Sequence, residues 1–473
     1  MELHQLTIKE AQEGLRTKKF SSLELVKSCL GRIKKLESKI NAFITICEKE
    51  SLKQAEEADR VISHQSLVTS RQSLLGIPIA VKDIFCTKGI KTTAGSKVLE
   101  DYIPVYDSTV VKRLKDVGAI ILGKTNMDAW AHGSSGENSD FGATRNPWDF
   151  EHVPGGSSSG SAAALAADMA LLATGTDTGG SIRLPASFCS LVGLKPTYGR
   201  VSRYGIIAMA SSLDSIGHFT KNIIDSAIIL NITAGQDSYD ATTLRTPVPD
   251  YTKNLKRGVK GLRIGIPKEY FIKGMNSEME KKVKETIKKL EKLGARLVNI
   301  SLPHTEYALA VYYIIQPSEV SSNLARYDGI RFGFSRDRFA DEARRRIMLG
   351  TYALSAGYYE AYYLKAMQVR SLIKKDFNEA FKKVDVLMAP VSPTLPFKLG
   401  EKVNDPLQMY LSDIFTVTAN LAGIPGLSIP IGFINRLPVG IQILGPQFSE
   451  ELLFQVGYAY EQETKWYKQK LNL

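Results

Sequence analysis

Two clusters rich in glycine and serine carry the residues whose types and spacing could do chemistry. The first spans residues 154–161 (PGGSSSGS) and the second spans residues 176–181 (TDTGGS). A serine becomes a nucleophile when a base takes its proton, and backbone N–H groups stabilise the oxyanion that its attack creates. Consecutive N–H groups beside Gly179 and Gly180 can face one point and bind an anion. We therefore predict that Ser181 is a nucleophile at the mouth of such a turn.

The segment between the two clusters argues against a flexible linker. A glycine–serine tether joins domains through solvent and is polar on both sides. Residues 162–172 (AAALAADMALL) are instead small and apolar, which predicts a buried helix starting just after Gly160. Such a helix directs its first N–H groups back at the serines. The clusters therefore indicate a site.

These patterns alone do not decide which residue is the base that would activate the serine. Lys82 ends the apolar run at residues 75–81, and burial lowers the pKa of a lysine so that its neutral amine can accept a proton. The competing base is a histidine, and none lies within either cluster. The candidates are His132, His152, His218 and His304.

A second serine motif overlaps the first cluster. Residues 156–160 match G-x-S-x-G, the nucleophile elbow of α/β-hydrolases, with Ser158 at its centre. That elbow requires a strand immediately before it. Residues 146–154 (NPWDFEHVP) are too polar and too rich in proline for a central strand, which disfavours the elbow.

Composition limits the class of protein. The 473 residues are 44% hydrophobic and 23% charged, as in ordinary globular proteins. The net charge of +12 could favour an anionic partner such as nucleic acid, but lysines alternate with glutamates in residues 278–290, which is typical of a solvated helix face. We find no apolar run long enough to span a membrane and no signal-peptide pattern at the start, so we expect a cytoplasmic protein with no membrane contact. The four cysteines lack C-x-x-C spacing and predict neither disulfides nor a metal site.

The elements that would position these residues alternate between helix and strand. Capping-box patterns at Thr7 and Ser21 predict helices at the start of the chain. Apolar runs predict buried strands at residues 75–81, 119–123, 262–266, 384–388, 427–431 and 439–443, and residues 357–381 predict one long helix. This order predicts an α/β fold with a largely parallel or mixed sheet. The simplest organisation is one domain over 1–473 that opens with a helical segment of about 1–70.

Three motifs in order identify a resemblance. Residues 76–83 (GIPIAVKD), the cluster at 155–161 and residues 177–183 (DTGGSIR) together resemble the amidase signature family. That resemblance implies a mixed central β-sheet covered by helices on both faces. It also implies a Ser-cisSer-Lys triad in which Lys82 is the base, Ser157 relays the proton through a cis peptide, and Ser181 attacks. The oxyanion hole would be the backbone N–H groups of Thr178, Gly179, Gly180 and Ser181.

Within the family the chain is most similar to the glutamine-hydrolysing subunits of tRNA-dependent amidotransferases. Residues 193–205, 319–329 and 345–354 carry this likeness. It implies that Tyr312, Arg346 and Asp413 bind glutamine, with the arginine on the α-carboxylate and the aspartate on the α-ammonium. The alternatives are that Arg346 belongs to a solvated helix face and that Asp413 caps a helix.

The same resemblance implies partners outside this chain. Ammonia would pass to a larger kinase/transamidase subunit, which uses ATP and Mg²⁺ to convert Glu-tRNA(Gln) to Gln-tRNA(Gln) and makes most of the tRNA contact, while a small third subunit clamps the pair. No cofactor or metal is expected in this chain itself. A stand-alone amidase on simple or hydrophobic amides is the first alternative. A non-catalytic RNA-binding scaffold is the second, and the set Lys82, Ser157 and Ser181 argues against it.

Overall fold

An 11-stranded mixed sheet is the framework of the fold in the part of the chain that the structure describes. The computed structural model describes residues 2–64, 73–330, 333–469 and 471. The strands are β1 (Phe43–Ile46), β2 (Pro78–Lys82), β3 (Ile120–Thr125), β4 (Leu172–Asp177), β5 (Val192–Lys195), β6 (Ser215–Thr220), β7 (Arg263–Pro267), β8 (Arg296–Ile300), β9 (Val386–Pro390), β10 (Gly426–Ile434) and β11 (Leu437–Leu444).

The strands lie in the order β1-β3-β2-β4-β6-β5-β10-β11-β9-β7-β8. Parallel pairs form at two places, in β3-β2-β4 and in β9-β7-β8. The central strands from β4 through β11 to β9 pair antiparallel, as does the edge strand β1 with β3. The sheet is therefore mixed, with a βαβ-like parallel unit near each end.

Helices flank this sheet. They are α1 (Ile8–Arg16), α2 (Ser22–Ile40), α3 (Glu48–His64), α4 (Thr109–Asp116), α5 (Ser159–Ala166), α6 (Arg183–Phe188), α7 (Ile223–Thr233), α8 (Ser277–Lys292), α9 (Ala308–Leu324), α10 (Asp341–Ala353), α11 (Lys365–Lys383), α12 (Pro406–Tyr410), α13 (Val417–Ala422) and α14 (Glu450–Thr464). The predicted mixed α/β sheet flanked by helices is confirmed.

Local sequence signals account for the first helices. Thr7 and Ser21 each accept a hydrogen bond from the backbone N–H three residues later, and Glu10 and Glu24 bond back to the capping residues. Each pair satisfies two backbone donors that the helix itself leaves free. The two capping boxes expected from the sequence are therefore confirmed.

Strands β2 and β4 bring Lys82 to the second serine cluster. They are parallel neighbours, paired through Ile79 with Leu172 and Ala80 with Ala173. Their carboxyl ends, at Lys82 and Asp177, therefore meet at the same edge of the sheet. Every residue of both strands is buried.

Two helix predictions differ from the structure in detail. Helix α5 begins at Ser159, before Gly160, and ends at Ala166, so residues 167–171 form a turn into β4. The long helix predicted for residues 357–381 begins instead with a π-helical segment, Tyr359–Leu364, before α11. Residues 359–364 include no buried side chain, so apolar periodicity, which reports a buried face, gives no signal of their i→i+5 hydrogen bonding. The division into one domain with a helical segment of about 1–70 stays a prediction, and residues 65–72 of that segment lie outside the described residues.

Candidate active site

Lys82 lies fully buried at the end of β2, and three hydroxyl groups surround its amine. Lys82 Nζ lies 2.8 Å from Ser157 Oγ, 2.9 Å from Ser158 Oγ and 2.7 Å from Thr176 Oγ1. Its backbone N–H donates to the hydroxyl of Thr174 on β4, which fixes the strand end beside its neighbour. The lysine predicted as the base therefore contacts the serine predicted as the relay.

Burial changes the acid–base behaviour of this lysine. Loss of hydration disfavours the ammonium form and lowers the pKa of Lys82 to about 7, although the carboxylates of Asp128, Asp177 and Asp214 act in the opposite direction. The three hydroxyls can each accept a hydrogen bond from the ammonium, and one of them can instead donate to the neutral amine. At neutral pH the site therefore holds both protonation states.

A loop between β3 and the first serine cluster holds Ser157 in place. The backbone N–H of Asp128 donates to Ser157 O at 3.2 Å, and the Asp128 carboxylate accepts N–H groups from Gly136 and Asn138. The peptide bond between Gly156 and Ser157 is cis, as the family resemblance implied. A side chain at Gly156 would lie 1.9 Å from Asp128 Oδ2, so this close approach requires glycine.

The turn after β4 presents Ser181. Asp177 ends the strand, and its carboxylate pairs with Arg183 through Nε at 3.1 Å and Nη2 at 3.0 Å. Burial alone would raise the pKa of Asp177, but the Arg183 charge and hydrogen bonds lower it to about 2. The same carboxylate accepts the N–H of Ile182, and Asn420 Nδ2 donates to Asp177 O. This fully buried ion pair fixes both ends of the turn that carries Ser181.

The N–H groups inside that turn are free to bind a ligand. Among the described residues, none accepts a hydrogen bond from the backbone N–H of Thr178, Gly179, Gly180 or Ser181. Gly180 has φ +142, and a side chain there would lie 2.3 Å from Thr416 Oγ1. These are the four donors that the sequence predicted for an oxyanion hole, and they lie in one turn.

Tyr312 packs directly on this turn from α9. A side chain at Gly179 would lie 2.6 Å from the Tyr312 hydroxyl, and Thr416 Oγ1 donates to Gly179 O at 2.5 Å. Burial raises the pKa of Tyr312 well above its ordinary value, so its hydroxyl stays neutral. The tyrosine predicted to help bind glutamine therefore lies against the predicted oxyanion hole.

Arg346 lies in a slot between two tyrosine rings. Its guanidinium carbon is 4.6 Å from the ring centroids of both Tyr313 and Tyr410. Arg346 Nε donates to Glu342 at 2.7 Å, and Nη1 donates to Gln316 at 2.6 Å. It is 2% exposed, while its neighbours Arg344 and Arg345 are exposed. The alternative that Arg346 belongs to a solvated helix face is therefore wrong.

Asp413 shares this environment. The Tyr313 hydroxyl donates to Asp413 Oδ2 at 3.0 Å, and burial raises the pKa of Asp413 to about 7 against the opposing effects of Tyr313 and Arg346. Its side chain makes no helix-capping bond to any described residue, so the capping alternative is wrong. The Tyr312 and Tyr313 rings meet edge to face at 5.0 Å. Tyr312, Arg346 and Asp413 thus form one cluster beside Gly179.

The hydrogen bond that the predicted relay requires between Ser181 and Ser157 is not formed in this structure. Ser181 is 8% exposed, and its hydroxyl makes no hydrogen bond with any described residue, Ser157 included. A nucleophile often forms its catalytic hydrogen bond only when substrate is bound. The hydrogen bonds of Lys82 with Ser158 and Thr176 were not predicted from the sequence. The only signal in the sequence was that Ser158 adjoins Ser157 in the first cluster and that Thr176 begins the second.

The competing interpretations fail on geometry. His218 bonds to Ser226, and His304 bonds to Asp376. Among the described residues, no serine of the two clusters bonds to any of the four candidate histidines, which are His132, His152, His218 and His304. Residues 146–155 contain no strand, which excludes the hydrolase elbow around Ser158. Both clusters are buried, so neither is a linker.

Metal-binding and membrane-spanning features are absent from the described part of the chain. No group of three or more His, Cys, Asp or Glu side chains there could hold a metal ion. Within residues 2–64, 73–330, 333–469 and 471, no helix combines the length and the apolar character that crossing a membrane requires. The four cysteines are buried and unbridged.

Comparison with known proteins assigns this geometry to a class. The Amidase family model matches residues 24–454. The chain therefore belongs to the amidase family, and its sheet and helices are the amidase signature fold.

The chain is also similar to individual proteins of this family. The chain is 53% identical to the A subunit of the glutamyl-tRNA(Gln) amidotransferase of Carboxydothermus hydrogenoformans, over 100% of both chains. Its structure matches the A subunit of the same amidotransferase from Thermotoga maritima with a TM-score of 0.83 and 44% identity, covering 98% of this chain and 95% of that one. The peptide amidase of Stenotrophomonas maltophilia matches with a TM-score of 0.79 and 30% identity, over 97% of both chains.

Proposed function

We propose that this chain is the glutamine-hydrolysing subunit of a glutamyl-tRNA(Gln) amidotransferase, supplying ammonia for the conversion of Glu-tRNA(Gln) to Gln-tRNA(Gln). The contact of 2.8 Å between Lys82 Nζ and Ser157 Oγ, beside the turn that carries Ser181, is the observation that carries the hydrolysis. The identity of 53% to an amidotransferase subunit over the whole chain, against 30% to a peptide amidase, favours this function over a stand-alone amidase.

In the proposed reaction Ser181 Oγ attacks the side-chain amide carbon of glutamine. Its proton passes to the Ser157 hydroxyl as Ser157 passes its own proton to the neutral Lys82 amine. The four free N–H groups of residues 178–181 bind the resulting oxyanion. As the carbon–nitrogen bond breaks, the relay returns a proton to the leaving nitrogen, which departs as ammonia. Water then attacks the glutamyl ester along the same relay, and glutamate leaves with Ser181 regenerated.

Glutamine would be recognised by its charged ends. Arg346 provides guanidinium N–H groups for the α-carboxylate, and Asp413 provides a carboxylate for the α-ammonium. Tyr312 would hold the side chain against the turn at Gly179. The contact of Tyr312 with that turn supports this assignment, because the same tyrosine touches the reaction site and the charged cluster.

The partners follow from the multi-subunit enzyme that the relatives' names describe. We propose a larger kinase/transamidase subunit, which binds ATP and Mg²⁺ and makes most of the contact with Glu-tRNA(Gln), and a small third subunit. The assembly would be a cytoplasmic heterotrimer. This chain would contribute no cofactor of its own and would fold as one amidase domain over 1–473, with a helical segment of about 1–70.

The test is a glutaminase assay of Ser181→Ala and Lys82→Ala in the assembled complex. We expect Ser181→Ala to lower the rate of glutamine hydrolysis by about 10³-fold or more, and Lys82→Ala to lower it nearly as far. Ser63→Ala, at an exposed hydroxyl on α3, is the matched control and should leave the rate unchanged. Unchanged hydrolysis in Ser181→Ala would reject the nucleophile. A wild-type preference for hydrophobic amides over glutamine would indicate the stand-alone amidase instead.

A further inference from the structure

Gln316 is a fully buried polar side chain that the proposed reaction does not use. It lies on α9, one helical turn after Tyr312, and its Oε1 accepts a hydrogen bond from Arg346 Nη1 at 2.6 Å. Its Nε2 is buried and has no hydrogen-bond partner among the described residues. A buried amide donor left without a partner is costly, so its presence at a site indicates a ligand that completes it.

The position of this amide relative to Arg346 is fixed by the packing of two helices. A side chain at Gly350 on α10 would lie 1.8 Å from the backbone oxygen of Pro317 on α9. The two helix backbones are therefore in direct contact one residue after Gln316 and one turn after Arg346. Such contact leaves little freedom for α10 to move its arginine away from the amide.

Arg346 donates hydrogen bonds to one neutral and one charged side chain, and the neutral one is Gln316. Glu342 also accepts a hydrogen bond from the guanidinium, through Nε, but it is an anion. Gln316 holds Nη1 without adding negative charge, and its planar amide places Nε2 beside the same guanidinium. An anionic oxygen bound by Arg346 can therefore also accept from Gln316. A carboxylate at Gln316 would instead repel that anion.

We propose that Gln316 is a specificity-determining residue for the α-carboxylate of glutamine, which it binds through Nε2–H while Oε1 holds Arg346. The inference rests on the proposed function and adds a second donor to the site that Arg346 defines. It makes recognition of the carboxylate depend on a neutral amide as well as on a cation.

Two variants test this inference in the full-length chain assembled with its partner subunits. Gln316→Glu keeps an acceptor for Arg346 but removes the donor and adds a charge, and Gln316→Leu removes both. The probes are glutamine, glutaramate, which lacks the α-ammonium, and 4-aminobutanamide, which lacks the α-carboxylate. We expect both variants to raise the KM for glutamine and glutaramate about tenfold or more, with kcat within about twofold, and to leave kcat/KM for 4-aminobutanamide unchanged.

Controls separate the possible failures. Gln455→Leu, at a glutamine whose Nε2 donates to Gly258 O on another part of the molecule, should leave all three substrates unaffected. If the wild type favours glutamine over 4-aminobutanamide and both Gln316 variants keep that preference, the inference is wrong and the proposed function stands. Equal losses on all three probes would also overturn it, because they would indicate a structural role only. A wild type with no preference for glutamine would overturn the proposed function and this inference together.

Discussion

Lys82 illustrates how neighbouring residues can suit a common side chain to the proposed role of a base. Its amine contacts three hydroxyls, and no carboxylate of the described residues forms an ion pair with it. A lysine at a strand end is ordinarily solvated and protonated. Here burial lowers its pKa to about 7, because the surrounding hydroxyls are neutral and do not replace the hydration that the ammonium loses.

This environment predicts the pH dependence of the reaction. The base must be neutral, so kcat/KM for glutamine should rise as pH increases through the Lys82 pKa of about 7 and level off above it. The measurement is kcat/KM for glutaramate as well as glutamine, since glutaramate lacks the ammonium that Asp413, whose pKa burial also raises to about 7, would bind. A profile that stays flat through this range, or that falls, would contradict a lysine base.

Arg346 carries a separate prediction about binding. Lysine cannot reproduce the planar group that lies between Tyr313 and Tyr410 and donates to two partners. Arg346→Lys should therefore raise the KM for glutamine about tenfold with little change in kcat. Arg344→Lys is the control and should behave as the wild type, because Arg344 is exposed and its guanidinium donates to Asp337 O rather than to Glu342. A loss of kcat at unchanged KM would place Arg346 in the chemical step instead.

For individual residues, the sequence predicts which side chains belong to the site better than it predicts what those side chains contact. Lys82, Ser157 and Ser181 lie in three local motifs, so the sequence and the family resemblance suffice to nominate them. The bonds from Lys82 to Ser158 and Thr176 could not be predicted, because they depend on how β2 and β4 pair. The burial of Arg346 beside exposed Arg344 and Arg345 depends in the same way on the neighbouring helix.

The turn after β4 is the element that joins Ser181, the proposed nucleophile, to the rest of the site. It combines a strand end, four free N–H groups and close contacts with α9 and with Thr416. Its glycines are required by space, since a side chain at Gly179 would lie 2.6 Å from the Tyr312 hydroxyl. The turn is therefore shaped by α9 as much as by its own sequence.

Gly179→Ala tests that dependence. The added methyl group must displace Tyr312 or the turn, so we expect at least a tenfold loss in kcat/KM for glutamine, about 1.4 kcal/mol in transition-state binding. Gly31→Ala is the control, because a side chain there meets nothing within 4 Å and the residue lies at an exposed position of α2. Gly31→Ala should keep full activity and gain a little stability, on the order of 1 kcal/mol, in thermal unfolding. Full activity in Gly179→Ala would show that Tyr312 does not constrain the turn.

The sequence predicts helices and strands well where a capping box or a continuous apolar run marks them. The capping boxes of α1 and α2 and the apolar runs of β2, β10 and β11 identify these elements from the sequence alone. Strand β4 (LATGTD) was not predicted, because threonine, glycine and aspartate are typical of a turn. It is a strand because it lies buried between β2 and β6, and its polar side chains find partners in the site.

At the scale of the whole molecule, the sheet brings together residues far apart in the chain. Lys82, Ser157 and Ser181 come from one half, while Tyr312, Arg346 and Asp413 come from the other. No sequence pattern relates the two groups, and only the family resemblance placed them in one site. The antiparallel pairing of β5 with β10 joins the two halves. Helices α9 and α13 then contact the turn and the strand end before it, through Tyr312 and Asn420, and α10 packs on α9.

In the proposed function this chain takes nitrogen from glutamine for transfer to tRNA-bound glutamate. The most direct measurement supplies the assembled complex with ATP, Glu-tRNA(Gln) and glutamine labelled at its amide nitrogen, and compares the wild type with Ser181→Ala. We predict labelled Gln-tRNA(Gln) from the wild type and none from Ser181→Ala, which should still form Gln-tRNA(Gln) when ammonium is added. Transfer of labelled nitrogen by Ser181→Ala at the wild-type rate would contradict this prediction.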